Sequence, residues 1–153
     1  MSHSIDRRTL LGAGAALANA CDFVLAAENV EIGYWDVPRG MVPTIGMTLL
    51  RRSVGEKLAL DLALTGRTLG ATAALAAGLI TRVVPDEELD SEVAALATAL
   101  AAASGSASAL GKALTYRLDG LSLEDGAALE ARTSALVRST PDFLASAPRF
   151  LRR

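Results

Sequence analysis

Short apolar runs separated by turn residues dominate the first half of the chain, and each run predicts one buried element. Phe23 to Ala27 is apolar and bounded by charged or polar positions, which is typical of a short buried strand. Glu31 to Tyr34 predicts a second extended piece. Leu79 to Val84, which is rich in β-branched residues and closed by a proline, predicts a third.

Helical patterns fill the segments between these strands. Small residues from Gly12 to Ala20 predict one helix, and three more are expected over Thr44 to Ser53, Val54 to Leu64 and Ala71 to Ala77. Trp35 to Pro43 predicts a loop, because proline and glycine recur within it. The first half is therefore of mixed α/β type.

The second half has a helical pattern from Asp86 onward. Glu87 to Ala103 and Ala107 to Leu118 predict two helices that are separated by a Ser-Gly-Ser break. Ser122 is followed by two acidic residues and predicts the cap of a third helix, since acids favour a helix amino terminus. Thr140 before Pro141 predicts the start of a fourth.

Composition and charge exclude several classes of function. The chain has 153 residues, about half of them apolar, and a net charge of -2, so no excess of positive charge attracts nucleic acid or an anionic membrane. No apolar run is long enough to span a bilayer. His3 is the only histidine, and the chain has no phosphate-binding loop, dinucleotide fingerprint or metal-ligand motif.

The single cysteine, Cys21, excludes an internal disulfide and is typical of a reducing compartment. We expect it to be a small buried apolar residue rather than a nucleophile. The expected location is cytoplasmic, with neither nucleic acid nor membrane as a partner.

One run is specific enough to indicate a family. Leu64-Thr65-Gly66-Arg67-Thr68 is followed by Ala71, Ala74, Gly78-Leu79-Ile80 and Val83-Val84-Pro85. This spacing resembles the signature of the crotonase family, the enoyl-CoA hydratases and isomerases. The resemblance implies acyl-CoA substrates and no cofactor, since coenzyme A is part of the substrate. Members of that family carry roughly a hundred more residues before the signature, so we expect this chain to match the C-terminal part of the domain.

The residues before Phe23 have two interpretations. Leu11 to Asp22 resembles the glycine-rich turn and helix of the crotonases, and the residues after it continue the family pattern. Arg7 and Arg8 ahead of a short apolar stretch, with a small-residue site at Ala18 to Ala20, resemble instead a twin-arginine export signal. We prefer the internal helix, because a cut after Ala20 would remove a piece that the fold needs.

The resemblance also assigns catalytic roles. The resemblance implies that backbone N–H groups polarise the thioester carbonyl, since donors already in place stabilise the charge as it develops, and counting back from Cys21-Asp22 puts one such donor at Ala13. Hydratases add two carboxylates; the first position is Ala16 here, and the second is Asp36 in place of the usual glutamate. A lone carboxylate favours an isomerase-like proton shuttle or a chain without activity. Asp36 could equally be a loop carboxylate or a cap.

Further candidates would contact the substrate. Gly12 and Gly14 belong to the glycine-rich turn, and Trp35 precedes Asp36. Met41, Val42, Ile45 and Met47 could line an acyl pocket, although apolar residues at this spacing are often core. Near the C-terminus, family members hold the adenosine end of coenzyme A, often that of a neighbouring subunit, with an aromatic residue and a lysine. The aromatic position is Phe143 here, and the lysine position is Ser146.

Taken together, these patterns predict an α/β protein with a truncated crotonase-like (ClpP/crotonase) fold, a short βα core followed by C-terminal helices. We expect a disordered tail over 1–10, the C-terminal part of the crotonase core over 11–85, and a helical oligomerisation and coenzyme A region over 86–153. The expected function is an enoyl-CoA hydratase/isomerase-like action on acyl-CoA thioesters, impaired by truncation. The alternative is a non-catalytic fragment that binds a partner subunit. Expected partners are the acyl-CoA substrate and either further copies, as in a trimer, or the missing N-terminal half.

Overall fold

The computed structural model describes residues 9–150, with the side chains described from Leu11 to Ala147. Its first half alternates short strands with helices, and its second half is helical. The elements are β1 (Thr9–Leu11), α1 (Ala13–Asn19), β2 (Leu25–Ala27), β3 (Glu31–Gly33), α2 (Met47–Thr65), β4 (Thr68–Gly70), α3 (Ala71–Ala76), β5 (Arg82–Val84), α4 (Leu89–Ala102), α5 (Gly105–Arg117), α6 (Leu123–Arg138) and α7 (Pro141–Phe150), with 3₁₀ turns at Val37–Arg39 and Asp86–Glu88.

The strands form two small sheets. In the first, β3 lies between β1, to which it is parallel, and β4, to which it is antiparallel. In the second, β2 and β5 pair in parallel. Gly33, the last residue of β3, is paired with Leu11 on one side and Thr68 on the other. The chain that leaves β3 therefore emerges beside the start of α1.

The core of the first half is built from aliphatic side chains and many alanines. Leu50, Leu62 and Tyr34 are the largest fully buried side chains. Alanines on α1, α2 and α3 pack into the same cluster, which allows these short helices to approach the strands closely. The expected mixed α/β core is present.

Glycines at two positions shape α2. Gly55 has φ 77° and ψ 169° inside the helix, so α2 is broken there into two segments. This break agrees with the two separate helices expected over Thr44 to Ser53 and Val54 to Leu64. Gly66 ends the helix with φ 68°, and its N–H donates to Leu62 O at 3.1 Å. This left-handed cap is a conformation that glycine adopts without a steric penalty.

The described residues form two compact units, with the boundary between Ala95 and Leu96. The boundary lies inside α4 rather than at Pro85, where the sequence pattern changes. Within the second unit, α5 packs against α6 and α7, and α6 packs against α7. Ser122 caps α6 as predicted, because its hydroxyl accepts a hydrogen bond from the Asp125 N–H at 3.1 Å.

Three local expectations differ from the structure. Thr9 and Leu10, which were assigned to a disordered tail over 1–10, lie in β1; residues 1–8 are outside the described range. Cys21 is exposed rather than buried, because it follows the end of α1. The strand β4 was not expected, since three residues that include a glycine carry little strand signal.

Within residues 9–150, no single helix has both the length and the apolar character needed to cross a membrane. Two successive helices, Asp86–Ala102 and Gly105–Arg117, reach that length and composition only when taken together, and a sharp bend separates them.

Candidate functional site

The glycine-rich turn places the start of α1 against the end of β3. Gly12 has φ 54° and ψ -115°, a conformation that side-chain-bearing residues rarely adopt. Its N–H donates to Gly33 O at 3.0 Å, and its own carbonyl accepts from the Ala16 N–H at 3.0 Å. Ala13 follows as the first residue of the helix, so no intrahelical carbonyl can accept its N–H.

The backbone of Asp36, rather than its side chain, holds the turn after β3. Asp36 O accepts hydrogen bonds from Arg39 N and Met41 N, each at 3.0 Å. The carboxylate makes no cap hydrogen bond, and its buried Oδ2 has no hydrogen-bond partner among the described residues. The structure therefore leaves the Asp36 carboxylate free of a capping role.

These two features meet at one cavity. A β-carbon built on Gly12 would lie 3.7 Å from Asp36 Oδ2 and 3.9 Å from Asp36 Oδ1, so the carboxylate faces the turn that presents the Ala13 N–H. The cavity has a volume of about 70 Å³. It is lined by Gly12, Ala13, Ala16, Tyr34, Asp36, Val42, Pro43, Thr44, Ile45 and Gly46.

The size of this cavity limits what it can hold. Sites for whole small molecules occupy roughly 300–1,000 Å³. The cavity, at about 70 Å³, has room for the few atoms around a reacting carbonyl and not for an entire acyl-CoA. It is suited to the reacting end of a larger ligand.

Ala16 forms part of the inner wall and carries no ionisable group. It is buried, and a β-carbon built on Gly46 would lie 2.9 Å from Ala16 Cβ and 3.1 Å from Tyr34 Cε1. Gly46 is thus in close contact with both residues, and only the absence of a side chain there permits the contact. The first carboxylate of the hydratases has no counterpart at this position.

Tyr34 also lines the cavity and was not predicted as a site residue from the sequence. Its side chain is 1% exposed, and burial raises the pKa of its phenol, an effect that the neighbouring Asn19 amide partly opposes. Neither the Tyr34 hydroxyl nor Asn19 Nδ2 has a hydrogen bond of regular geometry in the described part of the chain. The strand pattern could have identified Tyr34 as a buried residue. Side chains two positions apart in a strand, such as Ile32 and Tyr34, lie on the same face.

The predicted site residues of the first unit divide into two groups. Gly12, Ala13 and Asp36 line the cavity together, as do Val42 and Ile45. The others do not line it: Gly14 lies within α1, Met41 is 56% exposed, Met47 packs on the core, and Trp35 lies 5.5 Å below the Arg39 guanidinium.

Phe143 lies in α7, in the second unit, where the Thr140 hydroxyl accepts a hydrogen bond from its N–H at 3.3 Å. Nearby, Asp142 Oδ2 accepts from Ser104 Oγ at 2.6 Å, Ser106 Oγ at 2.7 Å and Ser106 N at 3.1 Å. These hydrogen bonds hold the pKa of Asp142 below its usual value. Ser146, at the position of the family lysine, and Asp142 line an open depression of about 310 Å³.

No cluster of three or more histidine, cysteine, aspartate or glutamate side chains suited to a metal ion occurs within residues 9–150. The residues that line the cavity include one carboxylate, that of Asp36, two hydroxyl-bearing residues, Tyr34 and Thr44, and the start of α1 at Ala13.

Comparison with known proteins identifies the family. The profile of the enoyl-CoA hydratase/isomerase family matches residues 9–153. The chain belongs to this family. A candidate enoyl-CoA hydratase of Thermus thermophilus is 39% identical over 129 residues, which are 84% of this chain and 51% of that protein. The 2,3-dehydroadipyl-CoA hydratase of Escherichia coli is 44% identical over 62 residues, which are 40% of this chain and 24% of that protein.

Solved structures of enoyl-CoA hydratases have the same fold. An enoyl-CoA hydratase of Mycobacterium smegmatis superposes with a TM-score of 0.88 at 30% identity, covering 94% of this chain and 56% of that protein. A candidate enoyl-CoA hydratase of Thermobifida fusca, solved in complex with acetoacetyl-CoA, superposes with a TM-score of 0.81 at 32% identity, covering 85% of this chain and 51% of that protein. The crotonase fold is confirmed, and the chain spans about half the length of these relatives.

Proposed function

We propose that the chain acts on acyl-CoA thioesters as an enoyl-CoA isomerase-type member of its family, with Asp36 as the acid/base. One observation carries the proposal: the buried Asp36 Oδ2 has no hydrogen-bond partner among the described residues and shares a cavity with the Ala13 N–H. A carboxylate left without a partner in a cavity is available to a substrate, whereas one engaged in a cap is not.

The proposed reaction moves a double bond along the acyl chain. The Ala13 N–H donates a hydrogen bond to the thioester carbonyl, and Asp36 removes a proton from the carbon next to that carbonyl. Negative charge then develops on the carbonyl oxygen, where a donor already in place stabilises it; one such donor contributes about 10²–10³ in rate. Asp36 returns the same proton two carbons further along, so that a 3-enoyl thioester becomes a 2-enoyl thioester.

The single acid explains why isomerisation is proposed ahead of hydration. Hydration needs one group to activate water and a second to protonate the carbon next to the carbonyl. Ala16 stands where the family resemblance puts the first of these groups, and its methyl side chain cannot transfer a proton. Proton return by one carboxylate needs no second acid.

The substrate class rests on the relatives. The Thermobifida fusca protein was solved with acetoacetyl-CoA, and the Escherichia coli protein is named for a dehydroadipyl-CoA. Both names support an acyl-CoA thioester as the ligand of this chain. The proposal includes no cofactor apart from the coenzyme A of the substrate, and a cytoplasmic location.

The experiment compares turnover of a 3-enoyl-CoA and a 2-enoyl-CoA by the purified chain and its variants. We expect isomerisation of the 3-enoyl thioester, and we expect Asp36→Asn to lower its rate by roughly 10²–10⁴. Glu28→Gln, which removes an exposed carboxylate after β2, is the matched control and should leave the rate unchanged. Absence of turnover with both thioesters, or equal rates for Asp36→Asn and the unmodified chain, would contradict the proposal.

A second candidate function is favoured by the exposed apolar residues in the first unit. Val42 and Ile45, which line the cavity, are 67% and 83% exposed, and Leu17 on α1 is 70% exposed. Apolar side chains this exposed favour contact with another polypeptide. The proposed partner is one that carries the N-terminal part of the family domain, which the resemblance puts before the segment matched here.

Mixing the chain with the N-terminal part of the Thermus thermophilus relative tests this second function. We expect a complex of one copy each on a sizing column and a higher melting temperature than for the chain alone. If Ile45→Ser weakens the complex and the exposed Leu123→Ser does not, the surface near the cavity is the contact. Failure to form the complex would contradict the second function.

Association with further copies is a separate proposal that concerns the second unit. Leu123, Leu136 and Leu144 are 92%, 53% and 61% exposed there. Exposed leucines in this number favour self-association, in line with the trimer expected from the family resemblance. Sedimentation equilibrium of the chain decides between a monomer and an oligomer.

A further inference from the structure

The segment Thr65–Thr68, which lies in the signature run of the sequence, has no group in the cavity and yet contacts both ends of the turn that carries Asp36. The Asp36 carboxylate makes no cap hydrogen bond, and its Oδ2 has no hydrogen-bond partner within residues 9–150. Its position therefore depends on its backbone, through the two hydrogen bonds that Asp36 O accepts and through the packing of the residues on either side of it.

The first contact joins Gly66 to Pro38, which follows Asp36 by two residues, and to Trp35, which precedes it. A β-carbon built on Gly66 would lie 2.6 Å from Pro38 Cγ and 3.2 Å from Pro38 Cδ, and 3.8 Å from Trp35 Cα. A separation of 2.6 Å is far below a van der Waals contact between carbon atoms, about 3.5–4.0 Å. The Gly66 backbone thus supports the turn at Trp35 and Pro38, one on each side of Asp36.

The second contact lies before Asp36. A β-carbon built on Gly33 would lie 2.9 Å from Thr68 Cγ2 and 3.2 Å from Arg67 O. Gly33 and Thr68 are also paired in register across β3 and β4. The strand that leads into Asp36 is therefore held against the same segment that touches Pro38.

The segment itself is held in place by local hydrogen bonds. Thr65 Oγ1 donates to Asp61 O at 2.6 Å and accepts from Arg67 N at 3.2 Å. Arg67 Nε donates to Asp61 Oδ2 at 2.7 Å, and its Nη2 pairs with the same oxygen. Exposed ion pairs contribute little to the free energy of unfolding, and this one joins two residues that lie on either side of Gly66 in the sequence.

We propose that Thr65–Thr68 is a positioning segment for Asp36, acting through Gly66 on Pro38 and through Thr68 on Gly33. In catalysis this rests on the proposed function, because the position of a carboxylate affects a rate only where that carboxylate transfers protons. A displacement of 1 Å can lower a rate by about 10²-fold. Gly66 is required here for the contact as well as for its positive φ.

The test is a nuclear magnetic resonance comparison of the full chain and its variants, observing the Asp36 ¹³Cγ and Ala13 amide signals. Gly66→Ala should shift both signals, and adding Pro38→Ala should return them toward the unmodified positions, since Pro38 Cγ and Cδ occupy the space that the new methyl needs. Gly120→Ala is the matched control: Gly120 has φ 76° and nothing within 4 Å of a built β-carbon. It carries the same type of strain without the contact.

Thr68→Ser keeps the proposal testable if Gly66→Ala does not fold. It removes only the methyl group that packs on Gly33, and it is distant from Asp36 along the chain. We expect it to shift the Asp36 and Ala13 signals, and we expect Thr115→Ser, a methyl removal on α5, to leave them unchanged. Signals that stay in place in Gly66→Ala or Thr68→Ser, or that shift as far in the controls, would overturn the proposal.

Kinetics separate this inference from the proposed function. If the chain isomerises a 3-enoyl-CoA, Gly66→Ala should lower kcat at least tenfold with a smaller change in KM, and Pro38→Ala should restore part of the loss. If the unmodified chain shows no turnover, the proposed function fails while the resonance shifts still decide whether the segment positions Asp36.

Discussion

The Asp36 carboxylate lies against Gly12, with both of its oxygens within 4 Å of where a β-carbon at Gly12 would be. Residues that are 24 positions apart in sequence are thus neighbours in the wall of one cavity. Gly12 precedes Ala13, so the carboxylate faces the turn that carries the Ala13 N–H. Because Ala13 is the first residue of α1, no carbonyl within the helix can accept that N–H. This relationship brings the Asp36 carboxylate and the Ala13 backbone to the wall of one cavity.

Gly12→Ala is expected to destabilise the first unit through its backbone rather than through a clash. The added methyl would meet Asp36 at 3.7 Å, an ordinary contact, but φ 54° and ψ -115° are unfavourable for alanine. We expect a loss of about 1–3 kcal/mol in the free energy of unfolding. Denaturant titration followed by Trp35 fluorescence measures it. Gly70→Ala, at φ -68° and in open space, is the control and should change little.

Ala16→Glu is expected to add the second acid that hydration needs. Ala16 lines the cavity, so a longer side chain at this position can reach it, although Gly46 limits the space beside its β-carbon. We expect a loss of stability of about 1–3 kcal/mol from crowding and a gain in hydration of a 2-enoyl-CoA. Ala16→Gln, of nearly the same size and without an acid, is the control. Equal hydration by the two variants would contradict the prediction.

Tyr34→Phe is expected to change the response of the first unit to alkaline pH. The pKa of Tyr34 is raised above its ordinary value of 10.0, mainly by burial. The folded state therefore favours the neutral phenol. The stabilisation by the neutral phenol is fully present below pH 10. It is lost as the pH rises from the pKa of Tyr34 in the unfolded state through its pKa in the folded state. The free energy of unfolding of the unmodified chain should fall more steeply above pH 10 than that of Tyr34→Phe, as measured by Trp35 fluorescence in urea.

At neutral pH the same substitution should be close to neutral in stability. The Tyr34 hydroxyl has no hydrogen bond of regular geometry within residues 9–150, so its removal should leave no further buried group without a partner there. A large loss of stability in Tyr34→Phe at neutral pH would show that the hydroxyl is engaged with Asn19 after all.

Asp142→Asn is expected to remove an acid-sensitive contribution from the second unit. Hydrogen bonds from Ser104 and then Ser106 lower the pKa of Asp142 below its ordinary value of 3.8. The charged carboxylate therefore stabilises the folded state above the unfolded pKa, and this contribution is lost as the pH falls through the folded pKa. The free energy of unfolding, followed by circular dichroism in urea, should be lower for Asp142→Asn than for the unmodified chain at neutral pH, and this difference should shrink as the pH falls through the folded pKa. Glu130→Gln, which removes an exposed carboxylate from α6, is the control and should show no such difference.

Much of the fold is predictable from the sequence, because its signals are local. The Ser122 cap and the break near Gly55 depend on residue types within a few positions. The family signature likewise predicted the crotonase fold. The strand β4 was not predictable, since a three-residue strand is formed by pairing with its partner β3 rather than by its own pattern. The exposure of Cys21 was not predictable either.

The candidate site divides in the same way. Ala13 and Asp36 were predicted by resemblance to family motifs, and the structure places both at one cavity. Met41 was predicted from its apolar character and is mostly exposed, while Tyr34, a cavity wall, was not singled out. The positions of motif residues can be predicted from the sequence of a related family, because they are counted along the chain. Cavity walls do not, because they depend on which residues the fold brings together.

By itself, the sequence determined the family, the order of the helices, three of the five strands, the absence of an acid at Ala16 and the identity of Asp36. Only the tertiary structure decided that Asp36 Oδ2 has no hydrogen-bond partner in the described part of the chain, that the carboxylate faces Gly12 and that Gly66 packs on Pro38. The physical reason is one of range. Secondary-structure propensities and motif spacings act over a few residues, whereas these distances join segments far apart in the chain, and close packing of the core sets them.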